Sequence, residues 1–203
     1  MNWSAWFPLA LVCLLGAMSP GPSLAVVARH ALRGGAGDGI VCAMAHGVGI
    51  LLWALLMANG LGVLLTEQPD WFVAVQLAGA GFLLYLGIRV LLSQSSAVVP
   101  TEADSDSSTR GAGLEGFVIA LSNPKIALFF AALFSQFIQP NAGVLEKTLI
   151  ASTAAGIDAL WYSLVSILLA QTAVLSGLQR RATLLNRLFG GILIVLAVSV
   201  VMT

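Results

Sequence analysis

Charge is scarce in this chain. Of its 203 residues 9% are Asp, Glu, Lys or Arg, and nine basic residues balance nine acidic ones to a formal net charge of zero. A soluble domain carries about a quarter charged residues. With 59% hydrophobic residues and a mean hydropathy of +0.96, the chain cannot clothe a globule in polar groups. That excludes an ordinary soluble domain and leaves a polytopic, all-α membrane protein. A zero net charge also argues against nucleic acid as a partner. Cysteine is nearly missing: Cys13 and Cys42 form no spacing motif, fall in apolar runs, and read as small packing residues rather than a disulfide or metal site. No H-E-x-x-H, no nucleophile–base arrangement and no phosphate-binding loop is visible, so neither an enzyme nor a cofactor is expected. The N-terminus, Met-Asn-Trp-Ser-Ala-Trp, lacks the basic start of a signal peptide, and the first apolar run is kept as a span.

What the chain does have is long apolar runs. A membrane span needs about 20 such residues. Six are expected, at 6–28, 40–65, 71–92, 114–138, 148–172 and 184–202. The connection 29–39 is short and glycine-rich, and 66–70 is a tight acidic turn. The segment 93–113 is rich in serine, with Pro100, Glu102, Asp104, Asp106 and Arg110; it cannot bury a core and reads as a linker. It divides one membrane domain into halves 1–92 and 114–203, three spans each.

Two of the runs are interrupted at matching places. Met18-Ser19-Pro20-Gly21-Pro22-Ser23 breaks the first, and Leu121-Ser122-Asn123-Pro124-Lys125 breaks the fourth. Proline removes a backbone donor and glycine loosens the helix, and in lipid the freed groups need protein, water or ligand partners. Paired interruptions in corresponding halves are the best sequence pointer to a transporter site. Arg29, Arg33, Arg89, Arg110, Arg180, Arg181 and Arg187 fall on one side of the six-span arrangement, and Lys147 alone falls in a connection on the other. Basic residues collect on the cytoplasmic side, so the linker is expected inside and both termini outside. An odd number of spans per half makes the halves inverted. Short similarities agree: Ala17-Met18-Ser19-Pro20-Gly21 with Ala120-Leu121-Ser122-Asn123-Pro124-Lys125, and Gly47 to Trp53 with Ala155 to Trp161.

These motifs, together with His46-Gly47-Val48-Gly49, Gly81-Phe82 to Arg89, Gly116-Phe117, Phe129-Phe130, Gln136-Phe137, Asp158, Trp161-Tyr162, Asn186-Arg187 and Gly190-Gly191, resemble the LysE/RhtB-type amino-acid exporters. The resemblance runs nearly end to end in motif order. It implies a six-helix carrier of the inner membrane that exports amino acids, driven by the proton gradient. It does not identify the amino acid.

Ionisable groups at membrane depth are rare and expensive, so each is a functional candidate. Lys125 and Asp158 each lie about ten residues into a span, near the midplane at about 1.5 Å per residue. They are expected as neighbours, and two readings stay open: a structural ion pair, or a substrate and proton site. In the second, helix N-termini after Pro20 and Pro124 and the Lys125 ammonium would hold a substrate carboxylate. Asp158 would accept the ammonium, or a proton in its place. The alternatives are plain kinks at Pro20, Gly21 and Pro22, a plain helix cap at Asn123, and a packing histidine rather than a proton relay at His46. Asp158 is the one deep carboxylate, which favours neutral amino acids. The alternative is a metal or small-cation exporter of the same architecture. It lacks a ligand cluster and faces Lys125. The partners expected are the lipid bilayer, an amino acid and protons; a homodimer stays open.

Overall fold

Backbone N–H and C=O groups in lipid must be satisfied within the segment, and uninterrupted apolar runs meet that demand as helices. The computed structural model describes residues 3–19, 21–92, 109–138, 142–169, 184, 187–188, 190–199 and 202. Helices follow one another as α1 (Trp3–Met18), α2 (Pro22–Arg33), α3 (Gly35–Glu67), α4 (Pro69–Leu92), α5 (Thr109–Ser122), α6 (Pro124–Phe137), α7 (Val144–Leu169) and α8 (Gly190–Ser199). No strand occurs among the described residues. Within α3, α4 and α7 the stretches Gly35–Leu61, Asp70–Leu92 and Val144–Leu169 are each long and apolar enough to cross a bilayer. The chain is a multi-pass membrane protein.

The two interruptions are real bends. α1 and α2 meet at 61° and α5 and α6 at 55°. Proline explains both: Pro22 and Pro124 each open a new helix at its first turn, where a missing N–H costs nothing. The glycine-rich connection expected at 29–39 is shorter than its composition implied. α2 runs through Arg33 and α3 starts at Gly35, whose φ of +81° makes the corner that a side chain would resist. α5 likewise begins at Thr109, inside the stretch read as linker, and 93–108 lies outside the described residues. So do 170–183 and much of the expected sixth span, of which α8 is the described part.

α3 is the axis of the bundle, packed along α2, α5 and α7. Small residues allow this. A Cβ on Gly47 would stand 2.8 Å from Ala159 Cβ of α7, and one on Gly49 would stand 2.5 Å from Ala120 Cβ of α5. In the other direction Gly87 of α4 meets the Gly190 carbonyl of α8. Phe134, Leu9, Leu83, Leu133, Ile150 and Leu193 fill the interior. Leu160, Leu149, Leu56 and Val195 point outward, Leu160 with 74% of its surface uncovered, as lipid-facing residues do.

Candidate functional site

The two bends lie against each other. At the end of α1, Ser19 N donates to Gly16 O at 3.2 Å, tightening the last turn before the chain leaves the helix. Gly21 is the extended residue ahead of α2 and gives it no side-chain cap. The amides of Ser23 and Leu24 lie in this first turn, which no N-cap side chain closes. Pro20 itself lies outside the described residues. At the second bend Asn123 caps α6: its Oδ1 accepts from Lys125 N at 3.0 Å. Its Nδ2 donates to Ser23 Oγ at 3.3 Å, which ties the second bend to the first. So the two helix starts are not equivalent. α6 satisfies one of its amides with its own side chain, whereas α2 does not.

Lys125 and Asp158 do not pair, contrary to what their depths and helix order suggested. The bend after Asn123 carries Lys125 toward the first bend, where its Nζ donates to Ser19 Oγ at 3.1 Å. A Cβ on Gly21 would lie 3.7 Å from that ammonium, so a bare backbone leaves it approachable. Asp158, on α7, takes a different partner. His46 Nδ1 and Asp158 Oδ2 share a hydrogen bond of 2.7 Å. His46 is 1% exposed and Asp158 7%. The Tyr162 ring stands edge-on to the imidazole, centroids 5.2 Å apart, and fixes its plane. His46 had seemed to sit early in its span. Because α3 begins at Gly35, it lies roughly 16 Å along the helix at about 1.5 Å per residue. Its Nε2 is buried and finds no partner among the described residues.

Both arrangements open on one cavity of about 60 Å³. Ser19, Gly21, Ser23, His46, Asn123, Lys125 and Asp158 supply its polar lining, and Phe129, Phe130, Ile50, Cys13 and Ala154 its apolar wall. A volume of roughly 10–15 Å³ holds one water, so this one admits several. Of the residues read as site candidates, Gly21, Asn123, Lys125, Asp158 and His46 line it together. Pro22 and Pro124 shape it by starting the helices behind it. The chemistry on offer is a cation donor at one place, a carboxylate with an imidazole at another, and apolar surface between.

Sequence reasoning missed several contributors. Ser19 and Ser23 were visible as hydroxyls flanking the first break but had no assigned partner. Tyr162 was a motif residue without a role. Trp53 donates its Nε1 to Ala120 O at 3.2 Å and holds α3 against α5. Trp6 donates to Thr153 Oγ1 at 3.0 Å and joins α1 to α7.

Comparison with known proteins adds an independent line. The family model described as LysE type translocator matches residues 14–203. The threonine efflux protein of Salmonella typhi is 25% identical over 191 residues, covering 92% of each chain. The homoserine/homoserine lactone efflux protein of the same organism is 31% identical over 154 residues, covering 74% of this chain and 72% of the relative. An uncharacterized membrane protein of Pseudomonas aeruginosa is 34% identical over 149 residues, covering 68% and 64%. No solved structure matches the chain. With a match that reaches from the first helix to the last residue, the chain belongs to the LysE type translocator family, whose members are transporters and not enzymes.

Proposed function

We propose that this protein exports neutral amino acids across the inner (plasma) membrane by proton antiport. One observation carries the reading: Lys125 and the His46–Asp158 pair line a single buried cavity where two helix breaks meet. A zwitterion fits that lining. Its carboxylate would take the Lys125 ammonium and the first-turn amides of α2, which lack a side-chain cap and where the helix dipole is positive. Its ammonium would take Asp158. A basic amino acid would need a further buried carboxylate, and among the described residues that line the cavity Asp158 stands alone. The relatives are named for efflux of threonine and of homoserine, which supports outward transport of a small polar amino acid.

Coupling follows from the imidazole. With Nδ1–H donated to Asp158, the buried Nε2 is a lone pair awaiting a proton. Protonation there makes an imidazolium that satisfies the Asp158 charge and repels an incoming ammonium. Substrate and proton then exclude each other, which is the requirement for exchange. The metal-exporter alternative gains nothing, because the Lys125 ammonium in the same cavity opposes any cation.

The architecture belongs to the same proposal: six spans as two inverted three-helix repeats, the first and fourth broken. Its support is the repeated order of a bent pair, then a long helix, in each half. The arginine-bearing ends of α2, α4 and α5 would face the cytoplasm. The test is a dipeptide-feeding export assay across the twenty amino acids in cells producing the chain. Export of neutral amino acids that collapses with a protonophore is expected. A flat profile combined with resistance to a toxic metal would reverse the assignment.

A further inference from the structure

Beyond the cavity lies a second polar cluster that the transport scheme leaves unused. Arg29 Nη2 of α2 donates to Glu115 Oε1 of α5, and His30 Nε2 shares the other carboxylate oxygen at 2.8 Å. The arginine and histidine side chains keep only 11% and 10% of their surface exposed. Arginine is seldom buried without a partner, and here one carboxylate serves two basic groups.

Position gives the cluster meaning. α2 and α5 are the halves of the two bent pairs that lie on the arginine-bearing side of the bends. Arg29 is six residues past Ser23 and Glu115 eight before Asn123, so the cluster stands roughly 10 Å from the cavity at about 1.5 Å per residue. On the other side of the bends, the described residues hold no ion pair between α1 and α6. Two half-helices that leave their partners at proline bends are thus tied to each other by one ionic cluster at their arginine-bearing side.

We propose that Arg29, His30 and Glu115 form the inner gate: a charge latch between α2 and α5 that shuts the cavity from the cytoplasm. Glu115 is its keystone, because one carboxylate holds both basic groups. The inference rests on the transport reading for its purpose, but its readout needs no substrate.

Cys13 lines the cavity and offers a native reporter. The experiment uses the full chain in inside-out vesicles, with Cys42→Ala to leave one thiol, and a membrane-impermeant maleimide. Glu115→Gln should raise the rate of Cys13 modification from the cytoplasmic face roughly tenfold, the size of losing a charge-assisted hydrogen-bonded pair. Glu115→Asp, which keeps the charge, should stay near the parent rate. Labelling from the outer face in right-side-out vesicles should not change. A rate unaltered by Glu115→Gln in protein that elutes as a single species would overturn the latch. An equal rise from both faces would overturn it too, since that is general loosening. Should the export assay find no amino acid, the labelling result would still decide the gate; should the gate fail, the cavity assignment would stand.

Discussion

Three ionisable side chains sit together at the heart of the bundle, and each has a protein partner that holds it in place. An ionisable group inside a membrane bundle is destabilising by a few kcal/mol, which makes Lys125, His46 and Asp158, all lining one cavity, candidates for function. Their division of labour makes a prediction. Asp158→Asn keeps size and hydrogen bonding but removes the charge that, in the proposed scheme, takes ammonium or balances imidazolium. Gradient-driven efflux should fall at least about tenfold, or more than 1.4 kcal/mol of driving interaction. Lys125→Met should instead weaken substrate binding, seen as a raised half-saturation concentration. Both are measured as uptake into inverted vesicles with an imposed pH gradient. Unaltered proton-coupled transport in Asp158→Asn would remove that carboxylate from the mechanism. The partnership itself was out of reach of the sequence. His46 and Asp158 are separated by 112 positions, and only the register of α3 against α7 brings them to 2.7 Å. Lys125 misled for a related reason: depth was legible from its place in the run, but the direction of its side chain depends on a 55° bend that a residue count does not supply.

At the scale of elements, α3 decides how closely the bends can approach the site. Its glycines bring the neighbouring helices in by the width of a side chain. Gly49→Val would drive a Cβ to 2.5 Å from Ala120 on α5, an overlap worth about 1–3 kcal/mol of destabilisation. Thermal unfolding in detergent should shift down by several degrees. Gly156→Ala on α7 is the matched control, because a Cβ there meets nothing within 4 Å, and its midpoint should stay put. Equal behaviour of the two variants would mean that helix spacing is set elsewhere. The existence and place of the bends were readable, since Pro22 and Pro124 cannot continue a helix from the residues before them. The helix ends were not. Gly34 and Gly35 looked like a loop by composition, yet a single corner at Gly35 lets helix run on both sides.

The whole molecule has a polarity that its surface chemistry announces. Lipid-facing leucines and valines girdle the long helices, while Arg33, Arg89 and Arg110 lie near the ends of α2, α4 and α5. A reporter fused after Pro100 should be active only if its partner enzyme works in the cytoplasm, and one fused after Thr203 only if it works outside. The opposite pattern would invert the transport direction assigned to every charged group. Membrane class and family were plain from composition and motif order, because a scarcity of charge and a fixed series of breaks survive without coordinates. The latch between α2 and α5 was not, since His30 and Glu115 each look unremarkable until two separate half-helices meet.

The bond from Asn123 to Ser23, 3.3 Å long, joins one elbow of the molecule to the other. Neither elbow can swing far without tugging its counterpart. A sluice whose doors moved independently would sometimes stand ajar at both ends and let protons run down their gradient with no cargo exchanged. In the proposed exchange, a shared handle between the hinges would make that leak the least comfortable posture of the machine and so keep fuel and freight in step.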